Sequence, residues 1–217
     1  MTIYLCMSLI HEIKNVIPSN ICKEIINRFE KSDEKSEGQT TAGIDLELKK
    51  TTDLNISIDN KLWIKINRYV SEKMMDQVIK YIKHLSSNVY KFSDNVKFFN
   101  AFGEYFGGDL SMTGLQIQKY EPGDYFKPHI DSGGITDTRL LALILYLNTV
   151  DENQGGETWF YNDQEIRPEE GKLLIFPCTW TYLHEGKQIK EGYKYIITCF
   201  IHTNPPNSEY KIWSKPR

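Results

Sequence analysis

"TRLLALILYLN" occupies Thr138–Asn148 and is apolar almost from end to end. A run of this kind is either a strand covered on both faces or a segment of buried helix. Its flanks decide the matter. Gly133–Gly134 stands before it and "DENQGG" (Asp151–Gly156) follows, so the run is short and bounded by turn formers on both sides. A buried strand is the expectation.

The same texture continues outward. "SMTGLQIQKY" (Ser111–Tyr120) alternates Leu115, Ile117 and Lys119 with Gln116, Gln118 and Tyr120, as a half-buried strand does. "GETWFYN", "GKLLIFP", "TWTYLHEG" and "YKYIITCFIHTN" then follow at close spacing, with Gly, Pro, Asn and Asp between them. Many short strands punctuated in this way form a sandwich or barrel such as a jelly roll. Upstream the periodicity is helical. "PSNICKEIINRFEKS" (Pro18–Ser32) places Ile21, Ile25 and Phe29 on one face, with Ser19 or Asn20 available as N-cap. Leu62, Ile66, Tyr69, Val70, Met74, Val78 and Tyr81 make Asn60–Leu85 an amphipathic helix whose stripe is core packing. Gly38 to Ser57 is polar and irregular, a loop with at most one short strand. The expected class is α+β, mainly β: one domain over 1–217, with a helical lead-in to residue 110, a jelly-roll core over 111–204 and a tail over 205–217.

The chain has 217 residues, a formal charge of −3, 40% hydrophobic and 25% charged residues, the profile of a soluble globular protein. No basic block is present, so nucleic acid is not an expected partner. No apolar run is long enough to span a bilayer, and no membrane association is expected. The four cysteines, Cys6, Cys22, Cys178 and Cys199, form no CxxC pair and read as reduced thiols. The N-terminal stretch lacks a basic region and a cleavage site, so a soluble, intracellular (cytoplasmic) protein is expected.

"KPHIDSG" (Lys127–Gly133) contains His129 and Asp131 two residues apart. The pair alone reads equally well as a turn in which the aspartate bonds nearby backbone. His184, in a strand expected to end at Gly186, changes the balance. Two imidazoles and one carboxylate that leave further positions open are the ligand set of non-haem Fe(II) oxygenases. Lys194 lies ten residues on, and a hairpin around Glu191–Gly192 would return it towards the pocket. Buried there, its ammonium needs an anion; on the surface it needs none.

Five pieces carry a resemblance: "YEPGDYFKPHID" (Tyr120–Asp131), "RLLALILYLN" (Arg139–Asn148), "GGETWF" (Gly155–Phe160), "IRPEEGKLLIFP" (Ile166–Pro177) and "HEGKQIKEGYKY" (His184–Tyr195). In this order and spacing, Leu115–His202 resembles the catalytic domain of the prolyl 4-hydroxylase-like Fe(II)- and 2-oxoglutarate-dependent dioxygenases. The resemblance implies a double-stranded β-helix. It implies that His129, Asp131 and His184 bind Fe(II) and are the catalytic set, and that Lys194 pairs with the distal carboxylate of 2-oxoglutarate, aided by the Tyr120 hydroxyl. It implies that O2 and 2-oxoglutarate are consumed, that succinate and carbon dioxide are released, that ascorbate serves as reductant, and that a protein or peptide is hydroxylated, with proline as the leading target. An aspartate at 131 points to hydroxylation, since related halogenases carry a small non-liganding residue there. Arg139 is either a surface cation at a strand start or a contact for a peptide carbonyl. Tyr125, Trp159 and Trp180 are candidates to line a substrate groove. Phe126 and Ala142 stand where the family often has tyrosine and threonine, which loosens the inference to proline. The alternatives are the same chemistry on a small molecule or free amino acid, and a metal-binding module without turnover.

Overall fold

The run from Arg139 to Tyr146 is a strand covered on both sides, as its composition predicts. Leu141, Leu143 and Leu145 join a core built against the two helices, while Ala142, Ile144 and Tyr146 join a second core between two sheets. The computed structural model describes residues 9–40, 42–90, 110–136, 138–161 and 163–203. Cys6 and the C-terminal tail lie outside the described residues.

In chain order the elements are β1 (His11–Ile13), α1 (Ser19–Glu30), β2 (Ser36–Glu37), β3 (Lys49–Lys50), β4 (Thr52–Ile56), α2 (Ile64–Tyr90), β5 (Leu110–Met112), β6 (Leu115–Tyr120), β7 (Tyr125–His129), β8 (Arg139–Tyr146), β9 (Thr158–Phe160), β10 (Gln164–Ile166), β11 (Leu173–Pro177), β12 (His184–Gly186) and β13 (Lys194–Thr203). The major sheet runs β1-β11-β8-β13-β6-β4-β2, with β5 also on β13; the minor sheet runs β10-β9-β12-β7-β3. All pairs of named strands are antiparallel. The minor sheet closes over the inner face of the major one, through Phe160 and Ile166 packed with Phe176 and Ala142. The helices cover the outer face. This is the expected double-stranded β-helix with flanking N-terminal helices.

Three local expectations change. Helix α1 starts one residue after Pro18, which is the N-cap; its carbonyl accepts the amides of Ile21 and Cys22, and no side chain caps the end. A proline pre-set in extended backbone performs the start that Ser19 or Asn20 was expected to provide. Helix α2 begins at Ile64 rather than Asn60, because Asn60 uses its side chain to hold the Leu62 amide in a turn. Leu62 is therefore 71% exposed, and Trp63 takes its place in the core. The polar stretch before α2 holds two strands, β3 and β4, where at most one was expected. Strand β4 sends Leu54 and Ile56 to the helix side and pairs with β6 from Thr52↔Lys119 to Ile56↔Leu115. Its partner lies some sixty residues downstream, so local composition carries no trace of the pairing.

Cys22, Cys178 and Cys199 are buried and free, and burial raises all three thiols, Cys22 to about 11. No helix among the described residues is long and apolar enough to cross a membrane.

Candidate active site

The irregularity between β7 and β12 builds the centre. Gly186 pairs with Phe126 and His184 pairs with His129, so a two-residue step on β12 faces a three-residue step on β7. One extra residue in β7 breaks the alternation of faces. Phe126 and His129 would otherwise point to opposite sides; the bulge turns both inward, and their rings stack at 3.5 Å with planes 10° apart. Pro128, which has no amide to give to a ladder, sits within the bulge. Asp131, two residues past His129, returns to the same side.

The ligand atoms of His129, Asp131 and His184 all lie within 4.8 Å of one another. His129 Nε2 is 3.7 Å from Asp131 Oδ1, and His184 Nε2 is 3.6 Å from Oδ2, so each imidazole faces its own carboxylate oxygen. Both distances exceed a hydrogen bond. Each ring's Nδ1 contacts the carbonyl two residues before it, at 2.8 Å for Lys127 and 3.0 Å for Tyr182. A carbonyl only accepts, so Nδ1 carries the proton and Nε2 presents its lone pair inward. Burial, then the neighbouring His184, and then Lys49, push His129 down to about 3, which keeps it neutral. Burial raises Asp131, against the pull of His184 and Arg139. Two lone pairs and a carboxylate thus converge with no donor among them, and a cation satisfies all three. The site fits a divalent metal of the Fe(II) type, held on one side by two nitrogens and one oxygen. Phe160 and Phe176 pack on His184, with ring centroids at 5.5 and 4.7 Å, and fix its plane.

Lys194 begins β13 and is 1% exposed. Its register partner is Tyr120 on β6, and its Nζ lies 3.8 Å from the centre of that ring. The ammonium donates to the Gly156 carbonyl at 3.0 Å and has no ion pair with a carboxylate among the described residues. Burial lowers it to about 7, with distant Glu157 acting the other way. Both Gly155 and Gly156 have φ near +80°, so the turn expected at this pair also supplies the carbonyl that holds Lys194. Gly186 opens the space in front: a Cβ there would sit 3.5 Å from Lys194 Nζ and 3.6 Å from both Phe126 and Tyr120. This space suits an anionic group beside the cluster of His129, Asp131 and His184. Lys194 reaches it differently from expectation. The chain turns at Gly192, but β12 and β13 belong to different sheets, so the lysine faces Gly186 across the sandwich instead of along a hairpin. The Tyr120 hydroxyl donates to Gln118 Oε1 at 3.1 Å, and burial holds it well above its ordinary pKa. Its ring face, more than its hydroxyl, meets the ammonium.

Arg139 begins β8 beside Asp131. Its Nη1 donates to the Asp131 carbonyl at 3.1 Å, and its guanidinium stacks on Phe200 at 3.8 Å. The other candidates are dispersed. Trp159 lies between inward-facing Thr158 and Phe160, so it occupies the outer face of β9, against Tyr161 at 4.4 Å. Tyr125 donates to the Leu46 carbonyl at 3.0 Å, and Trp180 is 78% exposed on the 3-10 turn Trp180–Tyr182. The structure gives Phe126 a role, stacked on His129, and adds a pair that the motif did not point to: the buried Lys49–Asp53 behind it, with Nζ and Oδ2 at 2.6 Å. A lysine in a polar stretch eighty residues upstream gives no sequence signal of that position.

Residues 115–202 match the 2OG-Fe(II) oxygenase superfamily. A human protein, procollagen-lysine,2-oxoglutarate 5-dioxygenase 2, is 31% identical over 105 residues, covering 46% of this chain and 13% of its own. Probable prolyl 4-hydroxylase 3 of Arabidopsis thaliana is 29% identical, covering 46% of this chain and 44% of its own. The chain therefore spans less than half the length of either relative. A Trichoplax adhaerens prolyl hydroxylase, solved with a peptide of the hypoxia inducible factor oxygen degradation domain, superposes with a TM-score of 0.70 at 22% identity, over 91% of this chain and 85% of that one. That likeness shows the shared fold. Triad, buried lysine and matched stretch coincide, and residues 115–202 are a 2OG-Fe(II) oxygenase domain.

Proposed function

We propose that this chain is an Fe(II)- and 2-oxoglutarate-dependent dioxygenase that hydroxylates a protein or peptide, with a prolyl residue as the leading target. One domain serves this activity: a lead-in to residue 110, whose helices α1 and α2 pack on the major sheet and whose strands join both sheets, and a catalytic core over 111–204. The observation that carries the reading is the buried ammonium of Lys194, without a carboxylate partner among the described residues, facing Gly186 on the strand that bears His184. A metal triad alone suits a binding module; a metal triad with a buried cation aimed beside it suits an anionic co-substrate.

His129, Asp131 and His184 would hold Fe(II). Lys194 would pair with the distal carboxylate of 2-oxoglutarate, and the Tyr120 ring would hold the ammonium in place. With O2, the bound metal and co-substrate supply the oxidant: 2-oxoglutarate loses carbon dioxide to become succinate, and one oxygen atom enters a C–H bond. With Nδ1 of His129 and His184 turned to the Lys127 and Tyr182 carbonyls, their Nε2 atoms would hold the metal, and the carboxylate of Asp131 would offset part of its charge. Phe126, Phe160 and Phe176 exclude water behind the triad. Arg139 beside Asp131 is the candidate to donate to a peptide carbonyl, with Tyr125 and Trp180 as further candidates on the substrate side. Ascorbate would keep the metal ferrous between turnovers. A peptide substrate is supported by the relatives, a procollagen-lysine dioxygenase and a probable prolyl 4-hydroxylase.

The test is succinate formation from 2-oxoglutarate with Fe(II) and ascorbate, wild type beside His184→Ala, with proline-rich and lysine-containing peptides and free amino acids. Succinate stimulated by a proline-rich peptide, with one oxygen atom gained by that peptide, is the expected result. Stimulation by an amino acid alone moves the activity to small molecules. Metal binding without succinate leaves a binding module.

A further inference from the structure

Behind the triad lies a buried ion pair outside the matched stretch. Lys49 and Asp53 are 1% and 2% exposed. Lys49 Nζ donates to Asp53 Oδ2 at 2.6 Å and to the Gln39 carbonyl at 3.3 Å, and Thr51 donates to Asp53 Oδ1 at 2.7 Å. Burying two ions costs several kcal/mol each before their attraction repays it, so a pair at this depth is a poor way to gain stability. Its placement is what sets it apart. Lys49 belongs to β3, the strand that borders β7 in the minor sheet, and Asp53 belongs to β4 in the major sheet. The pair therefore joins the two sheets at one corner. The register partner of Lys49 is Phe126, and the ammonium lies 5.4 Å from the centre of that ring, within range of a cation–π contact. Phe126 in turn stacks on His129 at 3.5 Å.

Resting on the proposed metal centre, we infer that Lys49, fixed by Asp53, is a positioning residue for that centre: it holds the Phe126 ring, and through it the plane of the His129 imidazole. The β7 bulge lies between Phe126 and His129, which both still pair with β12, so the backbone places His129 while the Phe126 ring and the Lys127 carbonyl fix the plane of its imidazole. Groups that orient a metal-bound histidine from behind typically alter metal affinity by about 10- to 100-fold when removed.

The experiment uses the full chain and Co(II) as probe, read by its visible absorption, with thermal unfolding as the fold control and wild-type succinate formation alongside. Lys49→Met is expected to unfold cooperatively, to bind Co(II) about tenfold more weakly and to shift the absorption bands. Phe126→Leu is expected to do the same. The double variant Lys49→Met/Phe126→Leu is expected to be no worse than Phe126→Leu, since both act through one ring. If Lys49→Met fails to fold, Lys49→Met/Asp53→Leu removes both charges and carries the test, with the same weakened Co(II) binding expected. A folded variant whose Co(II) affinity and spectrum match wild type overturns the inference while the metal site stands. So do additive effects in the double variant. Wild-type protein that takes up no Co(II) overturns both the inference and the functional reading beneath it.

Discussion

Lys194 and Tyr120 sit directly opposite each other on neighbouring strands, and the ammonium of one rests 3.8 Å from the ring centre of the other. A cation with an aromatic face behind it and a glycine in front has been desolvated in advance of its anion. The ring and one carbonyl replace only part of the lost hydration, and the price shows as the lowered pKa of about 7.

Co-substrate binding should therefore depend on pH. Between about 7 and the ordinary 10.5, the unfolded chain keeps the Lys194 proton that the folded chain has released. Stability without co-substrate thus rises with pH across that window. A dicarboxylate reverses the balance by favouring the ammonium. Its affinity should be greatest below pH 7 and fall by up to about tenfold per pH unit above it, with uptake of up to about one proton. Calorimetry at pH 8 in buffers of different ionisation enthalpy measures that uptake; none, with a flat affinity profile, would refute a site for the anion at Lys194.

Two glycines should respond oppositely to alanine. At Gly155, φ is +78° and a Cβ would stand 2.1 Å from the Gln188 carbonyl oxygen, so Gly155→Ala should cost about 2–4 kcal/mol in urea unfolding. At Gly186 the nearest atoms to a Cβ are 3.5–3.6 Å away, an ordinary contact. Gly186→Ala should leave stability within about 1 kcal/mol of wild type. It should raise the KM for 2-oxoglutarate roughly tenfold, because the methyl occupies the co-substrate's approach to Lys194.

Arg139 bonds the Asp131 carbonyl with one nitrogen, which leaves further N–H donors on its guanidinium. Arg139→Ala should raise the KM for a proline-rich peptide about tenfold, the size of a lost bond to a charged donor. Co(II) should still titrate the triad. Unchanged peptide kinetics would return Arg139 to a purely structural role.

Lys172 is 2% exposed and satisfied three times, by Glu12 at 2.9 Å, Glu169 at 2.7 Å and the Arg167 carbonyl at 2.8 Å. It ties β1 to the turn before β11, far in role from the triad. Lys172→Met should cost about 2 kcal/mol in urea unfolding, with the KM for 2-oxoglutarate unchanged.

Much of this was legible in the residues. The unbroken apolar run Leu140–Leu147 states that both faces are covered, and the resemblance to the dioxygenases is what points to His129, Asp131 and His184 as a ligand set with Lys194 beside it. The illegible parts are pairings made at a distance. Nothing near Thr52 reveals that β4 will border β6, and nothing near Lys49 reveals that its ammonium will lie against Phe126. Leu62 fitted the helical stripe by spacing, yet Asn60 claims the local backbone for a turn and the stripe starts at Trp63 instead. Trp159 was placed in the groove by residue type alone; the two-residue period of β9 turns it to the outer face.

The bulge in β7 also sets how a change of chain length would act on the candidate metal site. Facing it, β12 takes two steps where β7 takes three. Deleting Pro128 would remove the bulge and leave Phe126 and His129 two residues apart, which the period of a regular strand keeps on one face. The shortened protein should keep its two sheets and take the Lys127 carbonyl away from Nδ1 of His129. A loss of one codon there changes no candidate ligand, yet removes the acceptor that fixes the tautomer of one of them.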